Sequence, residues 1–77
     1  MLHVNIIPCL QDNYSYVIRD SVTDTVGVVD PSEFKPIDNF VKKKFNKIDF
    51  IINTHHHFDH TGGNLELKRK YKCKIIG

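Results

Sequence analysis

At 77 residues and a net charge of +2, the chain is at most one small unit, near the lower end of what can bury a self-sufficient core. Eleven basic side chains against nine acidic ones are too small an excess to imply a nucleic-acid partner. No apolar run approaches the length that spans a bilayer, and no charged N-terminal stretch leads into a long apolar one. Two cysteines, Cys9 and Cys73, lie far apart and form no metal or redox spacing. They read as small buried apolar residues in a reducing compartment, which makes the cytoplasm the expected location.

Leu2 to Ile7 alternates loosely and predicts a first strand, ended by Pro8. Gln11-Asp12-Asn13 is turn chemistry, and Tyr14 to Arg19 resumes an aromatic and β-branched strand. After a polar turn from Asp20 to Asp24, Thr25 to Asp30 predicts a third strand closed by Pro31. Short connections make these three an antiparallel meander. Pro36 then opens a helical stretch in which Ile37, Phe40, Val41 and Phe45 recur at spacings of three and four. Ile48 to Asn53 is short and mostly apolar, as a strand buried on both faces should be, and completes a β-α-β unit. A second helix is expected from Asn64 to Tyr71, and a strand from Cys73 to Ile76. The basic runs Lys42-Lys43-Lys44 and Lys68-Arg69-Lys70 fall on these helices as solvated faces near their C-terminal ends, with weak steering of an anionic substrate as the alternative.

The chemistry concentrates in Thr54-His55-His56-His57-Phe58-Asp59-His60, directly after the buried strand and directly before Gly62-Gly63. In extended chain leaving a strand, side chains two apart project the same way, so His55 and His57 converge while His56 points elsewhere. Asp59 and His60 add a carboxylate and a further imidazole. A solvated loop would also tolerate such residues, but the chain has only one histidine outside this run, His3, and the clustering is at ligand spacing. Imidazole with carboxylate suits zinc, iron or manganese, and one tetrahedral ion would not take this many ligands from so short a segment. Two metals side by side are expected. The helical His-Glu-x-x-His pattern of zinc proteases is absent.

His-x-His-x-Asp-His at His55 to His60 resembles the hallmark of the metallo-β-lactamase-fold hydrolases. Within them the chain is most similar to the glyoxalase II (hydroxyacylglutathione hydrolase) family, on Ile7 to Tyr16 with its Asp12-Asn13-Tyr14, Val28-Val29-Asp30-Pro31, and Thr54 to Asn64. The resemblance implies an α+β fold, with residues 1–77 forming the N-terminal part of an αββα sandwich of more than about twice this length. It implies two zinc ions, with iron or manganese as alternatives, His55 and His57 holding the first and Asp59 and His60 the second. It also implies that Asp59 accepts a hydrogen bond from the nucleophile, and that the substrate is S-D-lactoylglutathione, hydrolysed to D-lactate and glutathione. The family's remaining metal ligands and its glutathione-contacting residues fall in later segments, so residues 1–77 alone are expected to be inactive. Asp30 corresponds to a carboxylate behind the metals that orients a ligand imidazole, while an Asp before Pro also simply begins a turn.

Other readings share these residues. One is a different hydrolase of the same fold, a nuclease or a sulfur dioxygenase, and the Asp12-Asn13-Tyr14 segment with modest basicity favours the thioesterase over the nuclease. The other is a non-catalytic metal-binding or association module that pairs through exposed strand edges.

Overall fold

The computed structural model describes residues 1–9, 13–54 and 64–76. In chain order these form β1 (Leu2–Cys9), β2 (Asn13–Asp20), β3 (Thr25–Val29), α1 (Phe34–Lys44), β4 (Phe50–Ile52), α2 (Asn64–Tyr71) and β5 (Lys74–Ile76). The strands make one mixed sheet in sequence order, with β1, β2 and β3 antiparallel and β3, β4 and β5 parallel. This is the α+β arrangement expected. Two crossovers that advance the same way put their helices on the same face when both take the usual hand, and α1 does pack against α2. Ile7, Cys9, Val17, Val26, Val28 and Ile51 from the sheet bury against Ile37, Val41 and Leu67 of the helices, with Ile48 and Cys73 completing the core. Both cysteines are free and buried, as their sequence setting predicts.

Strands β2, β3 and β5 differ from the sequence expectation by one residue at one or both ends, and three larger differences each have a physical reason. Strand β1 runs through Pro8, which pairs with Tyr14. It is an edge strand, where a missing N–H costs no ladder bond. Helix α1 begins at Phe34, so Pro36 lies inside its first turn, where backbone N–H groups lack intrahelical acceptors anyway. Strand β4 is only Phe50–Ile52, because ahead of it the Val26 N–H is taken by the Asp49 carboxylate at 2.8 Å rather than by a β4 carbonyl, while the Asp49 N–H still donates to Val26 O at 2.8 Å. Helix α1 ends where the Phe45 and Asn46 N–H groups both donate to Val41 O at 2.7 Å, with Asn46 at φ 55°, a left-handed cap that asparagine tolerates.

Alternation along the strands sends the helix-covered set to one face and a second apolar set to the other. By register the second set includes Leu2, Val4 and Ile6 of β1, Tyr14 and Tyr16 of β2, Phe50 and Ile52 of β4, and Ile76 of β5. No helix covers it among the described residues, and Val4 and Ile6 remain 56% and 61% exposed. Gly27 lies in the middle of this face, where a Cβ would stand 2.5 Å from the Phe50 ring.

Candidate metal centre

Strands β3 and β4 are parallel, so their C-terminal ends emerge side by side, and the residues just beyond them form the described part of the site. Asp30 follows β3 with φ 50°, a left-handed conformation that aspartate adopts more readily than most side chains. Its N–H continues the ladder by donating to Ile52 O at 2.9 Å. The left-handed turn leaves its carboxylate beside the end of β4. There Oδ1 accepts the Thr54 N–H at 2.7 Å and Oδ2 accepts the Thr54 hydroxyl. One carboxylate thus holds both the backbone and the side chain of the residue that leads into His55.

Ser15 supports this arrangement from β2. Its Oγ donates to Asp30 O at 2.7 Å and accepts the Ser32 N–H at 3.3 Å, and the side chain is fully buried. On the other flank the Asn53 N–H donates to Ile76 O at 2.9 Å, so β5 fixes the residue before Thr54. The segment re-enters the described structure at Asn64, the buried first residue of α2. The α2 N-terminus carries the positive end of its dipole.

His55, His57, Asp59 and His60 lie outside the described residues, as do His56, Gly62, Gly63 and the Gln11-Asp12 turn. Among the described residues no group of three His, Cys, Asp or Glu side chains gathers at ligand distance. Asp30 and Thr54 are placed together. The sequence pointed to Asp30 without indicating Thr54 or Ser15 as its partners. One signal for Ser15 was available, since it alternates with Val17 and so falls on the helix-covered face, where a serine needs a hydrogen-bond partner.

The donor set fits an implied pair of divalent metals in its chemistry, being three imidazoles and a carboxylate. Buried oxygens without a hydrogen-bond partner among the described residues flank the same segment, Asn53 Oδ1 before it and Asn64 Oδ1 after it. Such atoms are the polar groups for which ordered water or the surroundings of an ion provide partners.

The metallo-β-lactamase superfamily model matches residues 11–77. The chain belongs to the metallo-β-lactamase superfamily. Among relatives, it is 50% identical over 76 residues to the hydroxyacylglutathione hydrolase of Pelagibacter ubique, covering 99% of this chain and 32% of that protein. It is 43% identical over 76 residues to that of Rhodospirillum rubrum, covering 99% and 30%. It is 48% identical over 63 residues to the cytoplasmic hydroxyacylglutathione hydrolase of Arabidopsis thaliana, covering 82% and 24%. The chain therefore spans about a third or less of the length of these relatives. The crystal structure of the BLEG-1 B3 metallo-β-lactamase superposes with a TM-score of 0.82 at 21% identity, over 97% of this chain and 35% of that one. This shows the shared superfamily fold. No helix among the described residues is long and apolar enough to cross a membrane.

Proposed function

We propose that these 77 residues are the N-terminal part of a glyoxalase II-type thioester hydrolase that converts S-D-lactoylglutathione to D-lactate and glutathione in the cytoplasm. The observation that carries this reading is the 50% identity to a hydroxyacylglutathione hydrolase over 76 residues. The open apolar face supports the domain assignment, because in an αββα sandwich a second sheet lies on that face. His55 and His57 hold one metal, and Asp59 and His60 the other, with zinc the first choice and iron or manganese the alternatives. When bound, the metals lower the pKa of a water and polarise the thioester carbonyl. Asp30 keeps Thr54, the residue before His55, in place, and its carboxylate is also suited to orienting a ligand imidazole. Asp59 accepts a hydrogen bond from the attacking water. A thiolate leaves readily near neutral pH, so no strong general acid is required.

The test is thiol release from S-D-lactoylglutathione by the full-length protein, with an oxygen-ester analogue and a non-glutathione thioester in parallel. Turnover strongly favouring the glutathione thioester is expected. Equal turnover of all three, or preference for a phosphodiester or a persulfide, would assign the protein to another branch of the superfamily.

A further inference from the structure

At the end of the sheet away from Asp30 there is a pocket of about 240 Å³, lined by His3, Asn5, Arg19, Phe40, Lys44 and Phe45. Arg19 pairs with Val26 in the β2–β3 register, so it sits four residues before Asp30, roughly 13 Å along the strand at about 3.3 Å per residue. His3 is directly opposite Arg19 on β1, and the last turn of α1 contributes Lys44. The helix side is aromatic, since Phe40 and Phe45 meet edge-on with ring centroids 6.1 Å apart at 70°.

The guanidinium of Arg19 is fixed. Its Nε and Nη2 donate to Asp24 Oδ1 at 3.1 and 2.9 Å, and its Cζ lies 5.5 Å from the Phe45 ring centroid. Asp24 is in turn 3.7 Å from Lys47, which also reaches Asp49 at 3.2 Å, so both neighbouring carboxylates are already paired. Asp24 occupies one edge of the guanidinium. The end-on edge, made of one Nη1 hydrogen and the second Nη2 hydrogen, has no partner among the described residues. A planar fork of this kind matches a carboxylate with two parallel hydrogen bonds, and pre-positioning by Asp24 and Phe45 reduces the ordering that binding would require. Lys44 adds a second cation, the Phe pair offers a wall for a flat ring, and the Asn5 amide can meet a ring hydroxyl. Drug-sized ligands occupy roughly 300–1,000 Å³, so this smaller space suits a single ring.

The geometry points to a binding site for a small aromatic carboxylate, held by the open edge of Arg19 and by Lys44 against Phe40 and Phe45, at the opposite end of the sheet from Asp30 and Thr54. The test is amide NMR of the intact full-length protein titrated with 4-hydroxybenzoate, with acetate and benzyl alcohol as the ring-free and charge-free controls. Saturable shifts at His3, Arg19 and Lys44 are expected, with a dissociation constant on the order of millimolar, as befits a one-ring ligand. Arg19→Gln should weaken binding about tenfold and Lys44→Gln about threefold, while both controls bind at least about tenfold more weakly. Lys44 is exposed, so its variant serves should Arg19→Gln fail to fold. Shifts that do not saturate, acetate or benzyl alcohol matching the aromatic acid, or undiminished binding by Lys44→Gln or folded Arg19→Gln would overturn the proposal. Each of these results is independent of thioester turnover, which is measured separately.

Discussion

Asp30 stands in a left-handed conformation, buried, with both carboxylate oxygens on Thr54. Replacing it by alanine would leave the Thr54 N–H and hydroxyl without these acceptors and place a less suited residue at positive φ. Asp30→Ala should therefore lower the urea-unfolding stability of the full-length protein by about 1–3 kcal/mol, and metal content should fall with it. An unchanged metal content in a folded variant would show that Thr54 does not control the ligand segment. Gly27 makes a different kind of contact, because a Cβ there meets the Phe50 ring at 2.5 Å and Ile18 at 3.2 Å. Gly27→Ala is expected to cost about 1–3 kcal/mol by overpacking, and Phe50→Leu in the same chain should recover part of that, a coupling that a double-mutant cycle measures. The His and Asp pattern from His55 to His60 stands out in the sequence at this scale, although its residues lie outside the described structure. The partners of Asp30 were not legible there, because a β-α-β reading makes β3 and β4 parallel without giving the register that brings Thr54 beside Asp30.

At the scale of elements, one buried carboxylate ties the two helices together. Asp38 of α1 accepts from Lys70 Nζ at 2.6 Å and from Tyr71 OH at 2.5 Å, both on α2. Burial pushes the Asp38 carboxyl up, but the hydrogen bonds from Lys70 and Tyr71 and the Lys70 charge outweigh it, and its pKa ends below the ordinary value. A depressed folded pKa contributes stability that is complete above the unfolded value near about 3.9 and is lost as pH falls through the folded one. Asp38→Asn should thus destabilise by about 1–3 kcal/mol at neutral pH, with the difference from wild type shrinking in acid. A constant difference from neutral pH down to strong acid would contradict this role. Burial first, then hydrogen bonding to Asp38, raises the Tyr71 phenol far above its usual range, so it acts as a donor throughout. Periodicity alone predicted α2 from Asn64 to Tyr71 and the apolar stripe of α1. It could not show that Pro36 is the third residue of α1 rather than its first, because proline is tolerated throughout the first turn.

For the whole molecule, the dominant feature is a sheet with helices on one face and exposed aliphatic and aromatic side chains on the other. An apolar surface of this kind marks an interface. In the proposed parent protein the second sheet of the sandwich covers it. Prepared as an isolated 77-residue chain, the same surface should bind a hydrophobic dye and drive concentration-dependent association, through this face as well as through the β1 edge. Light scattering after size exclusion checks this, and a monodisperse monomer without dye binding would argue against it. Alternation in Leu2 to Ile7 and Tyr14 to Arg19 foretold strands, yet the two-sided apolar character of β1 and β2 was the less obvious sign that a second layer belongs there.

The most direct test of the central claim is metal content and S-D-lactoylglutathione turnover measured on the same sample of the full-length protein, before and after chelation and with Asp59→Asn alongside. About two metals per chain, turnover that disappears with chelation and returns with zinc, iron or manganese, and loss of both metal and turnover in the variant are expected. Full turnover in metal-free protein, or a metal-loaded protein inert towards this thioester, would contradict the assignment.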